Sequence, residues 1–322
     1  MSFDGAPQDH DVTISPFRLA FRTVLLLMAA FFTLGTLSCG PEALKGRLSL
    51  SGSATVTPLV LKMVDEWKKG QPGIDVRIEA IGSDAGLERL IRYNEADLAM
   101  VSRPLTVADQ MAASAVGRVL IPLPLAWDAV CLVVPVSNTW AHSLTRNQVA
   151  QAFTSAALWS DLDPAWPKRP IHRFALGPNS GTADVLTQAI FPNSTKQVIF
   201  TAPQVQASED DRILARGVAE IEGALGYVGW STTQEFASTL KVLALDGVMP
   251  TPQSISNHTY GLPRQLWLVA TKQSLTSAPA ARSLVHFLYQ HYSSLTNQTG
   301  LVPLSAEELQ TAEKTLNDLR TP

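Results

Sequence analysis

The sequence predicts an α/β protein of two lobes, each a mostly parallel sheet flanked by helices, with a ligand crevice between them. Three observations point there. From residue 47 onward, strand-like apolar runs alternate with helical patterns. Two strand-to-helix junctions carry Gly-Ser (Gly52-Ser53 and Gly82-Ser83), and a third carries Ser180-Gly181-Thr182. The near-continuous apolar run 126–134 reads as a buried strand that crosses between the lobes. Ligands of open α/β sheets sit outside the carboxyl ends of the strands, so each junction faces one crevice.

In chain order, residues 47–51 alternate as a strand. Gly52-Ser53-Ala54-Thr55 then leads into a helix over 58–68, with Leu61, Val64 and Trp67 on its apolar face. A strand over 74–81 ends at Gly82, and a helix follows over about 87–93. The strand 97–101 ends in Ser102-Arg103-Pro104. After the crossing strand, Thr145 caps a short helix to Phe153, and 158–170 reads as a proline-rich surface turn. The strand 171–176 meets the turn Gly177-Pro178-Asn179. Beyond it, Val185, Ala189 and Ile190 recur at helical spacing. Ser208 is placed as the N-cap of a helix over 212–222, with Glu209, Asp210 and Asp211 as first-turn acids. Strands over 225–230, 241–245 and 260–269 follow, with an irregular stretch at 250–258 and helices over 279–292 and 306–319. Lobe 1 is read as 47–125 plus 256–322 and lobe 2 as 126–255, with hinges near 125–127 and 247–258.

The Ser-Gly-Thr junction carries chemistry. The first N–H groups of a helix lack internal partners, and the aligned peptide dipoles make that end positive. Gly181 lets an anion approach the backbone, while Ser180 and Thr182 can donate hydroxyl protons to it. Taken alone, the same residues describe an ordinary helix cap.

Bulk properties narrow the class. With 46% hydrophobic and 16% charged residues, the chain of 322 residues is a packed globular protein. A formal net charge of −3 and the lack of a basic run exclude nucleic acid as a partner, so a bound anion must be held by local geometry. The two cysteines, Cys39 and Cys131, form no metal-ligand pattern, and no metal or cofactor is expected. Cys131 lies in an apolar strand and reads as a buried thiol. No nucleophile elbow or P-loop supports an enzyme.

Residues 1–38 read as a signal peptide. The apolar run 23–37 is shorter than the ~20 residues that span a bilayer. Leu37-Ser38-Cys39 looks like a lipoprotein cleavage site, with Thr36 where an aliphatic residue is usual. Cys39 would then carry the lipid, with 39–46 as a linker, on a protein exported to the periplasm or cell surface.

Eight segments in order resemble the periplasmic phosphate-binding proteins of ABC importers, the PstS family. They are GSATVTPLV (52–60), IGSDAG (81–86), ADLAMVSRPL (96–105), AWDAVCLVV (126–134), NSGTAD (179–184), SEDDRILARGV (208–218), GALGYVGWS (223–231) and GLPRQLWLV (261–269). The SRP, GP-x-SGT and SEDD segments are similar to the cyanobacterial-type branch. The resemblance implies a hinged type II periplasmic binding protein, monomeric, serving a permease and an ATPase. By position it assigns the anion to Thr55, Val56, Ser83, Ser102, Ser180, Gly181 and Thr182. Better-known members carry an aspartate where Ser102 stands and an arginine where Leu176 aligns. Arg103 or Arg173 is therefore expected to supply the positive charge, and Asp211, ahead of Asp128, to accept the phosphate proton. Sulfate, molybdate or tungstate binding, and a sensor or interaction lipoprotein on the same scaffold, remain the competing readings.

Cys39→Ser should release the protein from membranes into the soluble fraction, as read by fractionation and immunoblotting. Retention of the variant in the membrane would assign the anchor to an uncleaved apolar run instead.

Overall fold

A computed structural model describes residues 1–2, 44–296 and 299–318. The apolar leader and Cys39 lie outside the described residues. Met1–Ala43 and Leu44–Pro322 are separate units, and the fold belongs to the second.

Strand β1 (Gly46–Gly52) pairs in parallel with β2 (Ile74–Ala80) and β3 (Leu98–Val101). The last five residues of β1 are buried, as a parallel strand covered on both faces requires. Helix Thr57–Lys68 buries Leu59, Val60, Met63, Val64 and Trp67. Leu61, expected on that face, is 44% exposed, because the buried stripe runs through the neighbouring 59/63/67 and 60/64 rows. Helix Ser83–Glu88 starts directly after Gly82 and continues into a π-helical turn, Arg89–Tyr93. Apolar periodicity begins only at Leu87, which placed its start too late.

The crossing strand β4 (Leu120–Pro135) is 16 residues long. In the second half of the fold are β5 (Ser143–Leu144), β6 (His172–Leu176), β7 (Val205–Ser208), β8 (Ala224–Gly229), β9 (Leu240–Val242) and β10 (Ala244–Leu245). The last strand, β11 (Pro263–Thr271), returns to the first half. The strand order is β2-β1-β3-β11-β4-β8-β6-β7, with β9 paired to β4, while β5 and β10 form a small separate sheet. The outer pairs are parallel, whereas β11 is antiparallel to β3 and β4, and β4 to β8. A chain that leaves one lobe along β4 must come back along β11, and this return makes the central seam antiparallel.

Two hydrophobic cores lie on either side of the crossing. Leu48, Leu50, Met63, Trp67, Leu123 and Leu266 belong to one, and Val130, Trp159, Phe174, Leu186, Tyr227 and Leu262 to the other. Along β4 membership changes between Ala126 and Ala129, and the chain changes back between Leu262 and Leu266. Ile255 and Tyr260 pack in the second core, and the Tyr260 hydroxyl donates to the Val130 carbonyl at 2.9 Å. Several helices escape sequence periodicity, two of them short. In Trp159–Leu162 the buried Trp159 donates its indole N–H to Gly223 O at 3.0 Å, and Pro252–Ser256 is capped by Thr251. Cys131 is buried, and desolvation pushes its thiol well up.

Arg173 lies away from the Ser-Gly-Thr junction. Its guanidinium is buried in the second core and donates to the carbonyls of Ala152, Ala156, Ile171 and Pro203, the last two at 3.0 Å. Burial lowers its pKa. It braces loop backbone and takes no part in the cleft. Arg173→Leu should lower unfolding stability by about 2–4 kcal/mol in urea titration, because buried carbonyls lose their donor. Anion affinity of the folded variant should stay within about twofold of wild type, since the two sites share no partner.

Candidate anion-binding site

The strand-to-helix junctions converge. Ser83 Oγ lies 3.2 Å from Ser102 Oγ and accepts the Ser102 N–H at 3.1 Å. A Cβ on Gly181 would stand 2.7 Å from Ser83 Oγ and 2.8 Å from Ser102 Oγ. Only glycine fits between these hydroxyls without displacing them. Gly82 has a comparable constraint, with φ of +91° and its face against Asn179 of the other lobe. Ser180 caps helix Gly181–Ile190 by accepting from the N–H groups of Thr182 at 3.1 Å and Ala183 at 3.4 Å. A hydroxyl that accepts through its lone pairs keeps its proton for another acceptor.

Thr182 and Thr55 meet over Arg264. Its Nη1 donates to Thr182 Oγ1 and its Nη2 to Thr55 Oγ1 at 3.3 Å. Nε and Nη2 hold Asp128 Oδ2 at 2.9 and 2.6 Å, and neither side chain of this pair is exposed. The other Asp128 oxygen accepts the Ser231 N–H at 3.1 Å. Thr55 in turn donates to Asp211 Oδ2 at 3.0 Å, while Asp211 Oδ1 accepts the Gly229 N–H at 2.8 Å. Burial pushes the Asp211 carboxyl above its ordinary range and Asp128 adds to that, against Arg264, Gly229 and Thr55.

Local sequence explains how these groups arrive. Arg264 on β11 sits directly opposite Asp128 on β4, so the two form a cross-strand pair where the chain passes between the cores. Asp211 opens helix Asp211–Glu220 because Asp210, not Ser208, is its N-cap, accepting the Arg212 N–H at 2.8 Å. Ser208 ends β7 instead.

Thr55, Ser83, Ser102, Ser180, Gly181, Thr182 and Asp211 thus share one buried cluster. Val56 differs, since its N–H bonds to Ser53 O at 3.2 Å and closes the turn. Arg103 borders the cluster only with its stem, its Cγ 3.2 Å from a Cβ on Gly181. Its guanidinium turns to Asp84, Asp109 and Asp184 at 2.7, 2.6 and 3.2 Å. Burial opposes its charge, but Asp109 and Asp84 hold the pKa above normal. Arg264 is the residue that sequence reasoning missed. The available signal was a lone arginine in one apolar strand and a lone aspartate, Asp128, in another.

Residues 40–291 match the PBP superfamily domain, and the chain belongs to that superfamily. Within it, the chain is 31% identical over 291 residues to the protein SphX of Synechococcus elongatus, across 87% of this chain and 84% of that protein. The phosphate-binding protein PstS of Staphylococcus haemolyticus is 24% identical over 292 residues, covering 89% of each. The crystal structure of a possible phosphate binding protein from Planctomyces limnophilus superposes with a TM-score of 0.65 at 26% identity, over 87% of this chain and 100% of that one.

Arg264→Met should destabilise the fold by about 3–5 kcal/mol, because Asp128 stays buried without its partner. Adding Asp128→Leu should restore most of that loss in thermal unfolding. Calorimetric titration should find anion binding absent from both variants. Wild-type affinity in the double variant would remove Arg264 from the site.

Proposed function

We propose that this protein is an extracytoplasmic substrate-binding protein that captures inorganic phosphate between its two lobes and hands it to the permease and ATPase of an ABC importer. Its relatives include proteins named for phosphate binding, and the buried hydrogen-bond chain from Arg264 through Thr55 to Asp211 carries the reading. In this proposal the lobes are 47–125 plus 263–322 and 126–262, and a lipid on Cys39 holds the protein to the membrane.

Arg264 and Asp128 cancel as formal charges, so attraction comes from helix N-termini and hydroxyl donors, each helix end contributing roughly half a charge. Such a site suits an anion that brings a proton. When the Thr55 hydroxyl turns its hydrogen bond to a phosphate oxygen, Asp211 Oδ2 is left free to accept a hydrogen bond from the proton that phosphate itself carries. Asp211 then does what an aspartate does in better-known members where Ser102 stands. Arg264 supplies the guanidinium that they carry where Leu176 stands. Sulfate has no proton at neutral pH and meets a buried carboxylate oxygen instead, an unpaired contact that rejects it.

Asp211→Asn should weaken phosphate binding about 10–100-fold, through loss of a charge-assisted hydrogen bond, and should admit sulfate. Burial raises the Asp211 carboxyl, so acidification protonates it before an ordinary aspartate and turns it into a donor. Sulfate affinity of the wild type should therefore be higher at an acidic than at an alkaline pH, while the variant stays flat. Calorimetry with both anions at equal ionic strength reads this. A wild type and variant that reject sulfate alike at both pH values would place the acceptor elsewhere.

A further inference from the structure

The cleft is flanked by two unlike mouths. Beyond Thr55 and Asp211 it opens into a cavity of about 410 Å³, lined also by Lys62, Arg212, Ser231 and Gln234. Beyond Gly181 and Arg103 lies a knot of five ionic side chains. Asp84, Arg103 and Asp109 come from the lobe of β1 to β3, and Asp184 and Lys196 from the other. Lys196 Nζ bonds Asp84 across the cleft at 2.6 Å and Asp184 within its own lobe at 3.0 Å. Arg103 bonds Asp84 and Asp109 within its lobe and reaches across to Asp184 at 3.2 Å. Each lobe therefore offers a cation to the other lobe's carboxylate. A backbone bond, Asp84 N–H to Asn179 O at 3.1 Å, lies beside them.

These are not ordinary surface pairs. Their side chains are between 7% and 34% exposed, so solvent screens them less than it screens pairs such as Lys69–Glu66, at 70% and 47%. Burial and the charge of Asp84 push the Asp184 carboxyl up, and Lys196 and Arg103 pull it back. The two cations leave one carboxylate in excess, so neither cation lacks a partner while the lobes are together. Separating the lobes breaks both crossing pairs and strands Lys196 with Asp184 alone. Arg103 covers Gly181 with its stem, so the same movement uncovers the glycine between the serine hydroxyls.

We propose that Asp84, Arg103, Asp184 and Lys196 form an ionic clasp that holds the lobes shut at this mouth and governs how readily the cleft opens. Asp109 steadies Arg103 from within its own lobe. The clasp acts whether or not a ligand is bound, and its rate consequence rests on the phosphate reading above.

Lys196 touches none of the hydroxyls of the site, so Lys196→Gln tests the clasp alone. Small-angle scattering of ligand-free protein should show a larger radius of gyration for Lys196→Gln than for wild type at about 0.05 M salt. Raising salt to about 0.5 M should narrow that difference only slightly, because partly buried pairs are screened far less than exposed ones. The control Lys69→Gln removes an equal charge from a pair within one helix and should scatter as wild type does. In rapid mixing, Lys196→Gln should release inorganic phosphate about fivefold faster and should also associate faster, because its ligand-free cleft is more often open. Asp184→Asn cuts the other crossing pair and serves if the first variant does not fold. Scattering that is identical for wild type and folded variant at both salt concentrations overturns the clasp. Failure of wild type to bind phosphate would sink the functional reading and leave the scattering result standing.

Discussion

The Arg264–Asp128 pair is the interaction on which the cleft depends. Removing two charges from water is costly, and their attraction offsets that only when the remaining hydrogen-bonding capacity is also satisfied. Here it largely is. Asp128 accepts from Ser231 as well as from Arg264, and Arg264 donates further to Thr55 and Thr182. A hydrophobic pair of similar volume would serve stability as well or better. What such a pair could not do is fix two threonine hydroxyls from different lobes against one rigid, planar donor.

The pair also sets the charge the cleft offers. Because Asp128 neutralises Arg264, the guanidinium gives direction and donors more than net charge. Asp211, held by Gly229 and Thr55, adds a carboxyl whose ionised form burial disfavours. On the proposed reading, the site tolerates an anion best when one proton is shared between the ligand and Asp211. That constraint comes from three side chains on three separate strands or helices, none of which lies in the Ser-Gly-Thr loop.

This distribution explains what could be read from the sequence. The alternation of strands and helices and the junctions at Gly52, Gly82 and Gly181 are local patterns, and local patterns report local structure. Arg264 and Asp128 are 136 residues apart, and only the β4–β11 register brings them face to face. Arg103, Arg173 and Arg264 look alike in sequence, each a single arginine beside or within an apolar strand. Their partners separate them: carboxylates at the cleft mouth, backbone carbonyls in the second core, and threonine hydroxyls in the cleft. The strand β7 was missed because Val205–Ser208 buries little of itself. The Val56 N–H is engaged by a turn that its own sequence does not announce.

The position of the ion pair ties closure to recognition. Asp128 lies between Ala126 of one core and Ala129 of the other, and Arg264 lies between Leu262 and Leu266 in the same way. Strands that pass between lobes are where hinge rotation is absorbed, and displacement is least near such an axis. In the proposed closure Arg264 therefore stays nearly fixed while the lobes move. Thr55 and Ser83 approach from one side, and Thr182 and Asp211 from the other. Each lobe alone presents part of the hydrogen-bonding groups, and in the proposed site the set is complete only when the cleft is shut. A ligand can shift a two-state equilibrium only by its difference in affinity between the states, and here that difference is large by construction. In the proposed mechanism the open form offers an arginine already paired with its aspartate, and the closed form adds hydroxyls from both lobes to the same anion.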